Sequence, residues 1–329
     1  MPHSLHYNRQ HFYFLLNPLL VILGPTASGK THLAAHIAAK INGAILSVDS
    51  RQVYRTMDVG TGKDLDEYQI DGKAIPYHLI DILDAGEKYN ISLFKKDFQQ
   101  AYQKITYQNQ VPIACGGTGF YFYALLKSQG YTEIPVNEKL RESLEDKTNE
   151  ELRTDFTQLE TSYLDLADTS TRKRLIRAVE ISTYLIENPE TEKLISEASS
   201  FEYSPVIFGL NPPSEIRRER ISRRLNYRLK NGLIEEVESL LKSGLEPEQL
   251  IYYGLEYKYI TEYLTGILPY EEMAKKLETE IHRFSKRQMT FFRKMEKDGI
   301  VINWLDQTNT EEENIQQIIR TYNLSKQTN

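Results

Sequence analysis

The stretch that decides the fold is "LLVILGPTASGKT", residues 19–31. It opens with an unbroken apolar run, which is typical of a strand buried on both faces of a parallel sheet. The residues that follow satisfy the pattern G-x-x-x-x-G-K-[S/T] in full, and the alanine-rich segment 30–40 has apolar positions at helical spacing. A strand, a glycine-rich loop and a helix in this order predict backbone N–H groups that hold a phosphate.

Other segments extend this unit into a sheet. Segments 44–50 ("AILSVDS"), 111–117 ("VPIACGG") and 204–210 ("SPVIFGL") have the apolar character of buried strands, and 91–108 has the spacing of a helix. Strands that alternate with helices are typical of an α/β fold with a parallel sheet. We therefore predict a P-loop NTPase-like core in which helices flank a parallel sheet.

The composition and patterning of the chain change between residues 137 and 203. This segment is polar and charged, has helical patterning and contains no convincing strand, so it predicts a helical insertion domain. The remaining ranges are assigned as follows: 19–136 and 204–305 form the core with its C-terminal helices, 306–329 forms a C-terminal tail or helix, and 1–18 forms a disordered tail.

Composition and charge limit the classes of function. The chain has 329 residues, of which 40% are hydrophobic and 26% charged, as in a globular protein. The net charge of −6 excludes a protein that is basic throughout, although a local basic patch can still bind nucleic acid. A single cysteine excludes an internal disulfide framework and predicts a reducing, cytoplasmic compartment. No run reaches the roughly 20 apolar residues of a membrane span, so we expect no membrane association, and we expect a monomer.

Polar residues follow three of the predicted strands. Segments 24–31 ("GPTASGKT"), 49–55 ("DSRQVYR") and 116–121 ("GGTGFY") begin where a strand ends. Ligands of parallel sheets bind at this edge, so the three segments predict one site. Lys30 supplies a positive charge there, and Thr31 supplies a hydroxyl for Mg²⁺.

Two residues at this edge have alternative roles. Asp49 can bind Mg²⁺, accept a proton from a nucleophile, or cap a helix. Thr118 can direct its hydroxyl into the same pocket or cap the next helix. An ATPase would have a Mg²⁺-binding aspartate at the end of the strand 111–117, where this chain has glycine. A P-loop kinase of a small metabolite or nucleoside and a non-catalytic RNA-binding protein both stay open at this point.

Five blocks of sequence help to distinguish among these possible functions. They are "GPTASGKT" (24–31), "SVDSRQVYRTMDVGTGKD" (47–64), "HLIDILD" (78–84), "GGTGFYFYALL" (116–126) and "SKRQMTFFR" (285–293). Together, from about residue 19 to 305, they resemble the bacterial type of the tRNA dimethylallyltransferase (tRNA isopentenyltransferase) family. This resemblance implies transfer of the dimethylallyl group of dimethylallyl diphosphate to N6 of the adenine 3′-adjacent to the tRNA anticodon. The loop would then hold a leaving group, and no phosphoryl group would move.

The resemblance also implies roles for individual residues. Diphosphate would be bound by the phosphate loop, namely Gly24, Pro25, Thr26, Ala27, Ser28, Gly29, Lys30 and Thr31, with Mg²⁺ on Thr31. The implied catalytic residues are Asp49 as general base, Lys30, Thr118, and Arg220 or Arg224 on the diphosphate. The implied contacts with the tRNA anticodon stem-loop are Asp49, Ser50, Arg51, Gln52, Thr118, Arg141, Lys173, Arg174, Leu175, Ile176 and Arg177.

Basic residues recur in three clusters. These comprise Arg172, Lys173, Arg174 and Arg177; Arg217, Arg220, Arg224 and Arg228; and Arg283, Lys286, Arg287, Arg293 and Lys294. One cluster alone is usually a solvated helix face. Three clusters on a net-negative chain favour contacts with nucleic-acid phosphates, and from the third we add Lys286 and Arg287 to the predicted tRNA contacts.

Two stretches depart from the usual pattern of this family. "GLEYK" (254–258) stands where "GYR" is typical, with Leu255 and Glu256 in place of an aromatic and a basic residue. We expect this difference to alter a tRNA contact and to leave the chemistry untouched. "GTGKD" (60–64) stands where "GTAKP" is common, which should change the loop after Lys63.

Overall fold

The computed structural model describes residues 18–127, 131, 134–164, 166–191, 193 and 203–328. Residues 1–17 of the predicted N-terminal tail lie outside the described residues, as does the end of the predicted insertion at 194–202. The described chain falls into two compact units, one within Met1–Tyr123 and Tyr203–Asn329 and the other within Ala124–Glu202.

The first unit is built on a parallel sheet. Its strands are β1 (Leu19–Leu23), β2 (Gly43–Val48), β5 (Tyr77–His78), β6 (Val111–Gly116), β7 (Pro205–Gly209) and β8 (Asn303–Trp304), arranged in the order β5-β2-β6-β1-β7-β8. All the neighbouring strands of this sheet pair in parallel. A separate antiparallel pair joins β3 (Gln69–Ile70) to β4 (Lys73–Ala74). The predicted parallel α/β core is confirmed, and the short strands β5 and β8 are additions to the prediction.

Helices connect and cover the strands. They are α1 (Lys30–Ile41), α2 (Ile91–Tyr107), α3 (Gly119–Leu126), α4 (Glu138–Leu144), α5 (Asn149–Gln158), α6 (Arg172–Glu187), α7 (Ser214–Lys230), α8 (Leu233–Lys242), α9 (Pro247–Tyr252), α10 (Leu255–Leu264), α11 (Tyr270–Lys297) and α12 (Glu311–Thr328), with a 3₁₀ turn at Leu65–Tyr68. None of the described helices combines the length and the apolar character that crossing a membrane requires.

Burial explains why the central strands carry no polar side chains. Every residue of β1 is fully buried, and its neighbours β6 and β7 pair with it along nearly its whole length. The core on one side of the sheet also includes Ile315, Ile318 and Tyr322 of α12, packed with Leu33 of α1. The C-terminal segment that the sequence left as a tail or helix is therefore an integral part of the first unit's core.

The described part of the second unit is helical. Helices α4, α5 and α6 surround a small apolar core that contains Leu152, Phe156 and Leu175. Its main polar feature is the buried carboxylate of Glu180, which accepts hydrogen bonds from Arg141 Nε and Nη2 at 3.1 Å each and pairs with Arg177. Because a buried carboxylate needs partners, this cluster fixes both arginines.

Candidate functional site

The phosphate loop connects β1 to α1, in the position predicted for it. Gly29 has φ +87°, a left-handed backbone that favours glycine, and Lys30 begins the helix immediately after it. A Cβ atom on Gly24 would lie 2.7 Å from Ser28 Oγ and 2.9 Å from the Leu210 carbonyl oxygen, so only glycine fits. The loop therefore ends at the first turn of a helix, where the backbone N–H groups and the helix dipole attract an anion.

Two polar groups of the loop have few hydrogen-bond partners among the described residues. Ser28 Oγ is buried and, among the described residues, has no hydrogen-bond partner. Lys30 Nζ lies 3.4 Å from the Pro25 carbonyl oxygen, and burial lowers the pKa of this ammonium, with nearby Arg224 adding to the effect. A bound anion would supply a partner to both groups and would raise the pKa of Lys30, which favours its charged form.

A large opening, which we call the loop cavity, lies on one side of the phosphate loop. It encloses about 800 Å³ and is lined by loop residues 27–31 together with groups from α7 and from the start of α12. Its cationic lining residues are Lys30, Arg220, Arg223 and Arg224. The lining also carries the carboxylates of Asp64, Glu67, Asp306 and Glu311, so the cationic side chains beside the phosphate loop, and not the net charge of the cavity, favour an anion such as diphosphate there.

A second opening, the strand-end cavity, lies at the carboxyl ends of β2 and β6. It encloses about 590 Å³, and its lining includes Asp49 and Thr118. Lys30, Thr31, Asp64 and Arg224 line both this cavity and the loop cavity. The structure therefore brings the predicted phosphate-binding and catalytic residues together, and the phosphate loop separates two adjoining spaces.

Asp49 follows directly after β2 and lines the strand-end cavity. Its Oδ1 atom accepts hydrogen bonds from the backbone N–H groups of Arg51, at 2.8 Å, and Gln52, at 3.4 Å. No helix begins here, so the alternative role as a helix cap is excluded. In the described part of the chain, Asp49 Oδ2 has no hydrogen-bond partner, which leaves one carboxylate oxygen for a ligand.

A buried lysine forms hydrogen bonds that hold the loop following Asp49 in place. Lys63 is 1% exposed, and its Nζ donates to the Tyr54 carbonyl oxygen at 2.7 Å, to Asp58 Oδ1 at 2.5 Å and to Asp81. Gln52 in turn donates from Nε2 to the Gly62 carbonyl oxygen at 2.9 Å. These bonds hold the residues around Asp49 in place, because breaking them would leave a buried charge unpaired.

Gln288 on α11 is a site residue that the sequence prediction missed. Its Oε1 accepts a hydrogen bond from the backbone N–H of Thr26 at 2.8 Å, and its Nε2 donates to the Gly117 carbonyl oxygen at 2.8 Å. One side chain thus joins the phosphate loop to the segment that carries Thr118. Gln288 lies within the block 285–293, but from that block we predicted only basic residues as contacts.

Replacing Gln288 with leucine should destabilise the protein by about 1–3 kcal/mol, because two largely buried backbone groups would lose their partners. Chemical denaturation measures the change in the free energy of unfolding. Gln317→Leu, an exposed glutamine-to-leucine change on α12, is the matched control and should have little effect. Equal stability of the wild type and Gln288→Leu would contradict the proposed link between the two segments.

The structure distinguishes between the two arginines that the sequence left as alternatives. Arg224 donates from Nη2 to Thr26 Oγ1 at 2.5 Å and lines both cavities, whereas Arg220 is exposed and lines only the loop cavity. Burial, and then the neighbouring Arg228, lower the pKa of Arg224 to about 10. Arg228 itself is paired with Asp64 at 2.7 and 2.9 Å. Arg224 is therefore the arginine at the junction of the two cavities.

Several predicted tRNA contacts of the first unit also line the strand-end cavity: Ser50, Arg51, Gln52, Thr118 and Arg287. Lys286 is exposed on the same helix as Arg287 but is not part of that lining. The Arg51 guanidinium lies 5.1 Å from the centre of the Tyr252 ring, and Tyr252 is 53% exposed. Tyr252 thus offers an aromatic face beside the cavity that sequence reasoning could not choose among 22 tyrosines.

Both departures from the family pattern lie at this site. Leu255 and Glu256 line the strand-end cavity with Asp49, so this difference is closer to the predicted chemistry than we expected. Burial raises the pKa of the Glu256 carboxyl, against the opposing effect of Arg224 and Arg228. Asp64, the other departure, is the partner of Arg228.

The predicted tRNA contacts of the second unit have mixed surroundings. Arg141 and Arg177 are held by Glu180, and Arg174 pairs with Asp168 at 2.7 Å. Lys173 is exposed, and Ile176 is half-buried. Leu175 is 1% exposed in the core of the unit, so its side chain supports α6 and does not reach a surface ligand.

Comparisons with known proteins agree on one family. The model described as "IPP transferase" matches residues 52–295, and "Isopentenyl transferase" matches residues 17–74. The chain is 47% identical over 309 residues to "tRNA dimethylallyltransferase 1" of Parabacteroides distasonis, covering 93% of this chain and 97% of that protein. It is 48% identical over 297 residues to "tRNA dimethylallyltransferase 2" of Bacteroides fragilis, covering 90% and 95%. The crystal structure of tRNA delta(2)-isopentenylpyrophosphate transferase from Staphylococcus epidermidis is similar, with a TM-score of 0.66, 28% identity, and coverage of 94% of this chain and 99% of that one.

Proposed function

Because this chain belongs to the IPP transferase family, we propose that it is a tRNA dimethylallyltransferase. It transfers the dimethylallyl group of dimethylallyl diphosphate to N6 of the adenine 3′-adjacent to the anticodon of tRNA and releases diphosphate. The observation that carries this proposal is the sharing of Lys30, Thr31, Asp64 and Arg224 by the two cavities. The loop cavity suits the diphosphate, and the strand-end cavity suits the adenine. The two cavities adjoin where a prenyl carbon could lie between diphosphate and adenine.

The proposed reaction is a displacement at the first prenyl carbon. The N6–C bond forms, the C–O bond to diphosphate breaks, and Asp49 accepts the proton that N6 loses. An exocyclic adenine amine is a weak nucleophile, so a positioned carboxylate contributes about 10²–10⁴-fold to the rate. The loop N–H groups, Lys30 and Arg224 stabilise the negative charge that develops on diphosphate. Thr118, which lines the same cavity as Asp49, contacts the substrate near the reacting carbon.

We propose that the diphosphate binds together with Mg²⁺. The donor chemistry of the site fits this ion, since the Thr31 hydroxyl and the Asp49 carboxylate line one cavity. When bound, the ion would neutralise part of the charge of the departing diphosphate. Thr31 is the residue that we assign to it.

The adenine must leave the stacked anticodon loop to reach Asp49, which is easiest in a single-stranded loop. We propose that it enters the strand-end cavity beside Tyr252 and that Arg51 and Arg287 contact the tRNA backbone near this opening. Lys173 and Arg174 of the second unit add phosphate contacts. We propose that the enzyme acts as a monomer. The single cysteine supports a cytoplasmic location.

One assay tests the proposed activity directly. The purified protein is incubated with Mg²⁺, dimethylallyl diphosphate and bulk tRNA, and the nucleosides of the digested tRNA are analysed by mass spectrometry. We expect isopentenyladenosine, and we expect none when the allylic diphosphate is omitted. A folded protein that phosphorylated a metabolite with ATP and left the tRNA unmodified would overturn the proposal in favour of a P-loop kinase.

A double variant tests the basic surface of α6. Lys173→Ala with Arg174→Ala should weaken tRNA binding and reduce the slope of log affinity against log salt by about 1–2, because up to two phosphate contacts are lost. Filter binding or fluorescence anisotropy at several salt concentrations measures this slope. Lys96→Ala with Lys104→Ala on α2 removes the same charge and should leave the slope unchanged. An unchanged slope in the α6 variant would remove Lys173 and Arg174 from the interface.

A further inference from the structure

A group of potential metal ligands lies outside the proposed catalytic residues. His32 and His36 of α1 and Glu311 of α12 each offer one ligand atom, and these atoms all lie within 4.8 Å of one another. The histidines are four residues apart on one helix, so their side chains share a face. Glu311 reaches them from the first residue of α12.

One pair of these groups has the separation of two ligands of a tetrahedral ion. His32 Nε2 lies 3.3 Å from Glu311 Oε2, and the two imidazole centroids are 4.4 Å apart. Two ligands of a tetrahedral zinc ion, each about 2.0–2.2 Å from the metal, are about 3.4 Å apart. The first pair already has this separation, and a side-chain rotation of His36 on its helix would complete a three-ligand set.

The chemistry of the group selects the kind of ion. Two imidazoles and one carboxylate favour Zn²⁺ and related transition metals over Mg²⁺ and Ca²⁺, which prefer all-oxygen sites. We propose that His32, His36 and Glu311 form a transition-metal site, with Zn²⁺ as the best-fitting ion. The site is distinct from the proposed Mg²⁺ position at Thr31 and does not depend on the proposed activity.

The position of the site gives it a consequence for the fold. It joins α1, the helix that begins at the phosphate loop, to the start of α12. The neighbouring ion pair of Lys40 with Glu312, at 3.1 Å, makes the same connection on the surface and shows how closely the helices approach there. His32 and Glu311 also line the loop cavity. A three-ligand zinc site would leave a fourth position for water or another ligand.

Zinc binding to the full chain tests the proposal, by competition with a chromophoric chelator. Glu311→Gln and Glu312→Gln remove the same charge from adjacent exposed residues, so they form a matched pair. Loss of an outer-shell partner alone costs zinc sites about 10–100-fold in affinity, so loss of a ligand in Glu311→Gln should cost at least about tenfold. Glu312→Gln should bind as the wild type does. Equal zinc affinity in the wild type and Glu311→Gln would overturn the proposal.

Hydrogen exchange provides a second readout, because His3, His6 and His11 could also bind zinc. Zn²⁺ should slow the exchange of backbone amides at the start of α12 in the wild type and in Glu312→Gln, and should leave them unchanged in His36→Gln. Zinc binding without this protection would assign the metal to other histidines and would also overturn the proposal.

Discussion

Asp49→Asn should lower kcat by about 10²–10⁴-fold and leave tRNA affinity nearly unchanged. Asparagine keeps an Oδ1 atom that can accept the hydrogen bond from Arg51 N–H, now 2.8 Å long, so the turn after β2 should persist. The amide group that replaces the second carboxylate oxygen cannot accept a proton from the adenine amine. Single-turnover kinetics with saturating tRNA and dimethylallyl diphosphate measure the loss, and a binding assay with the same tRNA measures affinity.

The control for this change is Asp66→Asn. Asp66 is exposed in the 3₁₀ turn and lines neither cavity, so its loss of charge should not affect kcat. If Asp49→Asn turned over at the rate of the wild type, Asp49 would not be the base. If instead it lost tRNA binding and kept its rate at saturation, Asp49 would be a binding residue only.

Arg224→Gln should lower kcat by about 10²–10³-fold, the usual cost of removing one group that stabilises a developing anion. Glutamine can still donate to Thr26 Oγ1, so the expected loss comes from the missing charge at the junction of the cavities. Arg218→Gln on the exposed side of the same helix is the charge-matched control and should retain the wild-type rate. The measurement is single-turnover kinetics at saturating dimethylallyl diphosphate.

Arg220→Gln tests whether the diphosphate lies beside Arg224 or farther into the loop cavity, beside Arg220. Arg220 lines only the loop cavity, so its loss should raise KM for dimethylallyl diphosphate more than it lowers kcat. A much larger loss of kcat in Arg220→Gln than in Arg224→Gln would contradict our assignment. The leaving group would then lie farther from the strand-end cavity than we propose.

Local pattern was sufficient to predict the centre of the fold. The apolar run of β1, the glycine-rich loop and the start of α1 are contiguous, so their periodicity and spacing carried the prediction. The strands β5 and β8 were missed because two residues are too few to show a period. The contribution of α12 to the core was also missed, since helical patterning does not say which sheet face a helix covers.

The site was predictable where its residues belong to the strand ends and not where they come from distant helices. Gln288 bonds to residues 262 and 171 positions away, a pairing that no local pattern reveals. Arg220 and Arg224 are four residues apart on one helix, so the sequence could not separate them, and only their tertiary contacts do. Arg228 came from the same basic cluster but proved to be a buried partner of Asp64.

The most direct test of the arrangement is a crystal structure of the protein with Mg²⁺ and the unreactive thiolo analogue of dimethylallyl diphosphate. We expect the diphosphate oxygens on the backbone N–H groups at the start of α1, from Gly29 to Thr31, and close to Lys30 and Arg224, with the prenyl chain directed into the strand-end cavity toward Asp49. A prenyl chain directed into the loop cavity, away from Asp49, would contradict the proposed meeting of donor and adenine.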